Sequence, residues 1–202
     1  MAQSKQSKMK VLKINEENEL KYLHGFSIDY TTKSGVHKQW ELVSRQSQKR
    51  LEDEILNGAS YTDGAMIFAT DEKKEKVVIL KEFRVSAGKY MYMFPAGLIE
   101  EGEDVKEAGA REFKEETGLH LQPLYVEKER YVSVGIINEK VNIVYGVFSG
   151  IPSNVHQDDN EDAEILIIDK ADATRILENE EVSIRTAMLL QNFFKIHPFF
   201  DS

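Results

Sequence analysis

The chain is 202 residues long, with 41% hydrophobic residues, a formal net charge of -9 and no cysteine. Its hydrophobic share suffices for a packed core, and its acidic balance excludes binding to nucleic acid or an anionic membrane through bulk electrostatics, which needs a basic surface. Without cysteine there is no disulfide, no thiolate zinc site and no cysteine nucleophile, a composition that suits a reducing, cytoplasmic setting.

In chain order, residues 1–9 are rich in Lys, Ser and Gln and are expected to fray, and MAQSKQSKMK has no apolar stretch behind it of the kind a secretory leader carries. From Val11 to Val43 the pattern favours extended structure: YLHGFSIDY and KQWELVS flank TTKSGVHK, whose Ser-Gly signals a turn, and together they predict a small antiparallel sheet. QSQKRLEDEILNGAS predicts a short helix ended by Gly58. The boundary between an N-terminal β-rich region, residues 1–57, and a second domain, residues 58–202, is drawn there. GAMIFATDEKKEKVVILKEFR places two apolar runs around a charged turn and predicts a hairpin. Phe94-Pro95-Ala96-Gly97 interrupts regular structure and predicts a loop. Strands are expected in LYVEKERYVSV and VNIVYGVFSG, then an acidic loop, IPSNVHQDDNEDA, and a strand in EILIID. ADATRILENE and SIRTAMLLQNFFKI read as two closing helices, the second with Ile184, Ala187, Met188, Gln191 and Phe194 at helical spacing. The longest apolar runs, such as VVIL and ILII, are far too short to cross a bilayer. Strands on both sides of a helix, with helices at the end, predict an α/β fold in which helices cover a mixed β-sheet.

Between the hairpin and the later strands lies FPAGLIEEGEDVKEAGAREFKEETGL, residues 94–119, with seven Glu and one Asp against three basic residues. Asp104 is a favourable N-cap and Gly118 a C-terminal stop, so the run between them predicts a helix of about four turns. At 100° per residue Glu112, Glu115 and Glu116 share one face, and Gly109, Ala110 and Phe113 lie on the neighbouring arc that packs on the sheet. Like charges at this spacing cost a few tenths of a kcal/mol per pair. Arg111 reaches Glu115 at i+4, Lys114 lies off the arc, and Ala108 leaves room beside the acids. The face is either a solvated acidic surface or a site for a divalent cation, which prefers hard oxygen ligands and leaves positions for substrate phosphates.

Gly97, five residues, Glu103, seven residues, then Arg111-Glu112-Phe113-Lys114-Glu115-Glu116-Thr117-Gly118-Leu119 resembles a complete Nudix box, with every fixed position present. The flanks DGAMIFA, VVILKEFR, MFPAGLIEEGED, YVSVGIINE and NEDAEILII, with the closing helices, are similar to the ADP-ribose or ADP-sugar pyrophosphatases of that family over most of residues 38–197. The resemblance implies a Nudix α/β/α sandwich with a mixed sheet, preceded by a small antiparallel β domain that is exchanged in a homodimer. It implies hydrolysis of a nucleoside diphosphate sugar to AMP and a sugar phosphate, with Mg²⁺ or Mn²⁺ as cofactor. Glu112, Glu115 and Glu116 are then the metal ligands, joined by the Ala96 carbonyl, with Glu103 and Arg111 supporting the loop and orienting the acids. Glu161 and Glu164, in or beside the acidic loop, are the candidates for general base, and Glu139 for a water-mediated metal contact.

Four residues are candidates for substrate binding. Arg84 and Arg45 carry guanidinium forks suited to phosphate oxygens, with surface ion pairs as the other reading. Trp40 either stacks on a base or packs in its sheet, and Glu82 either neighbours substrate or faces solvent. One departure from the subgroup stands at Ser133-Val134-Gly135, where a Pro usually follows the Ser. It leaves diphosphate hydrolysis untouched and leaves open another nucleotide sugar, a dinucleoside polyphosphate or a nucleoside triphosphate as substrate; a module that senses ADP-ribose without cleaving it is the separate alternative outside the enzymes.

Overall fold

Stretches of strand-forming and helix-forming sequence alternate along the computed structural model, which describes residues 10–19, 21–155 and 162–198. The expected fraying of residues 1–9 and the candidate base Glu161 lie outside the described residues. The chain divides into two compact units. One takes the described residues up to Asp63 together with residues 129–141, and the other takes the remainder.

In the first unit, β1 (Lys10–Glu19), β2 (His24–Thr31) and β3 (His37–Ser44) form an antiparallel meander, as the alternating N-terminal pieces predict. The helix α1 (Gln48–Asn57) is capped at its start by Ser47, whose side chain accepts from the Arg50 N–H, and ends on Gly58 in the left-handed conformation. Leu51 of α1 joins Ile14, Phe26, Ile28 and Leu42 in this unit's core. A buried polar knot forms a second anchor. Asp63 accepts from Arg50 Nη2 at 2.8 Å, Gln46 Nε2 at 3.0 Å and the Lys140 N–H at 2.9 Å. Lys140 Nζ in turn lies 3.4 Å from Glu54 Oε1, with both side chains under 10% exposed. A charge buried to this degree is tolerated only when paired.

The second unit is built on β4 (Gly64–Thr70) and β5 (Val77–Arg84), the predicted hairpin, with β10 (Ala163–Ile168) antiparallel to β5. Two long strands, β8 (His120–Ser133) and β9 (Ile137–Ser149), contribute residues to both units. Two short strands were not legible: β6 (Lys89–Met93) pairs with β5, and β7 (Ala96–Leu98) pairs with β4 in the stretch expected to be a loop. The helix α2 (Val105–Thr117) has its predicted bounds, with Asp104 accepting from the Lys106 N–H and Gly118 left-handed at its end.

Helices cover both faces of this sheet, which is the expected Nudix sandwich. On one face Phe113 of α2 packs with Ile67, Ala69, Val78 and Leu119. On the other, α3 (Lys170–Asn179) and α4 (Ile184–Phe194) bring Ala173, Ile176, Leu190 and Phe194 against Phe68, Val77, Ile79 and Ile168. The inward side of α4 differs from the predicted stripe. Thr186, Leu190 and Phe194 are buried, whereas Ile184 and Met188 are 76% and 54% exposed. The helix IRTAMLLQNFF is apolar over much of its circumference, so spacing alone does not select the packed side.

Phe113 is fully buried and ties α2 to the sheet. Phe113→Ala is expected to cost about 3–5 kcal/mol of stability, read as a lowered denaturation midpoint with an unchanged slope.

Candidate active site

The acidic face of α2 is organised by one cation. Arg111 Nε and Nη2 each donate to a Glu103 carboxylate oxygen at 2.9 Å, so the guanidinium fork closes the loop ahead of the helix. Its Nη1 donates to Glu112 Oε1 at 2.9 Å and Glu115 Oε2 at 3.1 Å, and Nη2 also reaches the Leu98 carbonyl at 3.1 Å. The i+4 contact to Glu115 follows from helical spacing. The resemblance implies that Glu103 and Arg111 support the loop and orient the acids; which atoms meet, and the contact to the Leu98 carbonyl, depend on how the loop returns over the helix.

The remaining acid, Glu116, accepts from the Ala96 N–H at 3.1 Å, so β7 and α2 meet at Ala96. Glu112 lies against Gly97. A Cβ built on that glycine would stand 2.0 Å from the Glu112 carboxyl carbon, so only glycine leaves room for the carboxylate there. Electrostatics sort the acids. Burial pushes the Glu112 carboxyl up, against the downward pull of Arg111, and Glu115 and Glu103 add repulsion. Glu103 is held below the usual carboxylate range, chiefly by its hydrogen bonds from Arg111. The Arg111 guanidinium is raised, first by Glu103, and stays charged.

Among the described residues, no group of three or more His, Asp or Glu side chains is gathered tightly enough to hold a metal ion by itself. The carboxylates are drawn instead to Arg111 and the Ala96 N–H. The donor set nevertheless fits a hard divalent cation: three carboxylates share a helix face, one of them is seated in a cradle that a Cβ would fill, and one guanidinium is divided among three acids.

Other predicted residues fall into separate groups. Arg84 Nη1 donates to Glu82 Oε1 at 2.7 Å, and Arg84 stays 45% exposed. Glu82 alternates with Val78, which packs on Phe113, so it belongs to the α2 face of the sheet. Glu164 is paired in register with Lys81 and lines a recess with Lys81, Tyr90, Asn154 and Asp162. It alternates with Leu166 and Ile168 on the face covered by α3 and α4, which separates it from the α2 carboxylates. Tyr90 donates to Asp162 in that recess, an arrangement no sequence signal indicated. Within the first unit, Arg45 Nε donates to Glu139 Oε1 at 3.2 Å, and Trp40 on β3 is 50% exposed rather than packed in the core.

A family model described as NUDIX domain matches residues 60–188. The chain is 28% identical over 159 residues to "Putative nudix hydrolase 2" of Caenorhabditis elegans, covering 75% of this chain and 68% of that protein. It is 30% identical over 129 residues to "ADP-ribose pyrophosphatase" of Bacillus subtilis (strain 168), covering 63% and 69%. A solved structure described as "Crystal structure of ADP compounds hydrolase" shares the fold, with a TM-score of 0.70 over 94% of this chain and 95% of that one at 22% identity.

The Glu103–Arg111 pair carries a pH signature. Because the folded-state carboxyl is depressed, the pair's contribution is fully present above the ordinary glutamate value and is lost as pH falls through the lower folded value. Glu103→Gln is therefore expected to melt below the wild type near neutral pH, with the gap closing as pH drops below about 4. Thermal unfolding followed across that range checks this, and a gap independent of pH contradicts it.

Proposed function

This chain belongs to the Nudix family and is a Nudix hydrolase, and we propose that it splits the pyrophosphate bond of ADP-ribose or a related nucleoside diphosphate sugar. The products are AMP and a sugar phosphate. The observation that carries the reading is the α2 carboxylate face, seated on Gly97 and gripped by Arg111. Similarity to the ADP-ribose pyrophosphatase of Bacillus subtilis supports the substrate class.

Glu112, Glu115 and Glu116, with the Ala96 carbonyl, are the proposed ligands of Mg²⁺ or Mn²⁺. Bound there, the ion supplies charge neutralisation for the diphosphate and lowers the pKa of water. The chain's own groups do the rest. Arg111 orients Glu112 and Glu115 without touching substrate. Arg84, steered by Glu82, and Arg45 are proposed to bind phosphate oxygens through their guanidinium forks, and Trp40 is proposed to stack on the base. Of the two loop glutamates, Glu161 is the proposed base that takes the proton from the attacking water's oxygen, because alternation sets Glu164 beside Lys81 on the other face. A homodimer and a cytoplasmic setting belong to the same proposal.

Ser133-Val134-Gly135, where the subgroup usually has Pro, favours a second reading with broader nucleotide specificity. A panel of nucleoside diphosphate sugars, dinucleoside polyphosphates and triphosphates, with products identified by mass, separates the two. AMP and ribose 5-phosphate from ADP-ribose, with little release from diadenosine polyphosphates, is the expected outcome. Glu116→Gln is expected to keep the fold and lower Mg²⁺-dependent turnover by about 100-fold or more. Glu161→Gln should also slow turnover, and Glu164→Gln should stay close to wild type.

A further inference from the structure

The sheet face opposite α2 carries a second cavity, of about 410 Å³, between α4 and strands β4, β8 and β9. That size falls in the range of small-molecule sites, roughly 300–1,000 Å³. One wall is a continuous run of rings. Tyr125 lies 6.1 Å from Tyr145, Tyr145 lies 5.5 Å from Phe68, and Phe68 lies 5.3 Å from Phe193, centroid to centroid. The inner members are fixed by the core that α3 and α4 complete, with Phe68 only 5% exposed. The outermost, Tyr125, is 56% exposed, and its hydroxyl donates to Glu127 Oε2 at 3.4 Å, which holds the ring in place. Alternation along β4 keeps this wall apart from the catalytic face: Ile67 and Ala69 pack with Phe113 of α2, and Phe68 packs with α4.

Two hydroxyls of the lining make no hydrogen bond with the described residues. Thr70 stands two residues beyond Phe68 on the same face of β4 and is only 8% exposed. The Tyr145 phenol is partly buried in the ring wall. Burial, with Glu127 and Tyr125 adding to it, raises that phenol, so it keeps its proton and can donate near pH 7. A hydroxyl taken out of water without a partner costs stability, so these two call for a hydrogen-bonding group in the cavity. The charges of the lining do not. Glu127 already accepts from Tyr125 and has a further partner, and Lys74 is an exposed side chain in the β4–β5 turn that stays in water.

We propose that this cavity binds a flat, uncharged heteroaromatic molecule, its ring stacked on Tyr125 and its polar edge turned to the Thr70 and Tyr145 hydroxyls. Each hydroxyl both donates and accepts, so an edge that carries an N–H beside a C=O suits the pair. The ring wall favours an aromatic body, because offset and tilted ring pairs add to what burial alone gives. A purely apolar ligand would leave both hydroxyls unanswered. An anion would meet the Glu127 carboxylate, and a cation would find that carboxylate already engaged.

Quinolin-2-one, a planar lactam with N–H and C=O on one edge, is titrated into the protein while the ring resonances of Tyr125 and Phe193 are followed by NMR. These rings line the cavity and take no part in the catalytic reading, so the result is independent of turnover at the α2 face. Saturable shifts of both are expected. Thr70→Val and Tyr145→Phe each remove one hydroxyl at nearly constant shape and should weaken binding by about threefold or more, with unfolding midpoints confirming that both variants keep the fold. ε-Caprolactam, which offers the same amide edge without an aromatic ring, should bind about fivefold more weakly or worse. Rings that do not shift at millimolar quinolin-2-one would overturn the proposal. So would unchanged binding in both variants, which would leave water as the partner of the hydroxyls, or caprolactam binding as tightly as quinolin-2-one.

Discussion

One guanidinium facing too many carboxylates is the constraint around which the catalytic unit is arranged. Arg111 is shared among Glu103, Glu112 and Glu115, and Glu116 is held by a backbone N–H from β7. Like-charged neighbours on a helix oppose its formation by a few tenths of a kcal/mol each. The arrangement therefore persists only where donors or cations answer the charge, and here one guanidinium is divided among three of the acids. Such a face is suited to a divalent ion and, through it, to a polyanionic substrate on a chain of net charge -9.

Precision at that face comes from packing on its reverse. Phe113 is fully buried, and a Cβ on Gly109 would stand 2.8 Å from Val144 Cγ2, so α2 lies close on its sheet. Asp104 and Gly118 set where the helix starts and stops. At the stop, Gly118 is left-handed and a Cβ would come within 2.7 Å of the Ser153 carbonyl, so that helix end is fixed both by backbone conformation and by close approach. The loop ahead of the helix is locked by Glu103 and Arg111, and β7 by pairing with β4. Side chains on rigid elements are held to the tolerances that catalysis demands.

Local chemistry was legible in the sequence, and tertiary choice was not. The caps of α1 and α2 and the shared face of Glu112, Glu115 and Glu116 follow from side chains within a turn or two of one another. The strand β7 was missed because three residues carry no periodicity and exist as a strand only through β4. For α4, Ile184 and Met188 fit a helical stripe as well as the residues that pack, and the sheet decided in favour of Thr186, Leu190 and Phe194. The knot of Asp63, Arg50, Lys140 and Glu54 joins residues up to 86 positions apart, beyond the reach of any local pattern. Glu164 illustrates the finest limit: membership of an acidic segment says nothing about which face of a strand a carboxylate occupies, and a shift of one residue reverses it.

The central claim, that the α2 face is a cation site, is tested most directly by Mn²⁺ titration monitored by electron paramagnetic resonance. The wild type is compared with a variant in which Glu112, Glu115 and Glu116 are all replaced by Gln. Saturable Mn²⁺ binding in the wild type, lost in a variant whose circular dichroism is unchanged, is the predicted result. Equal Mn²⁺ binding by the two proteins would contradict the account.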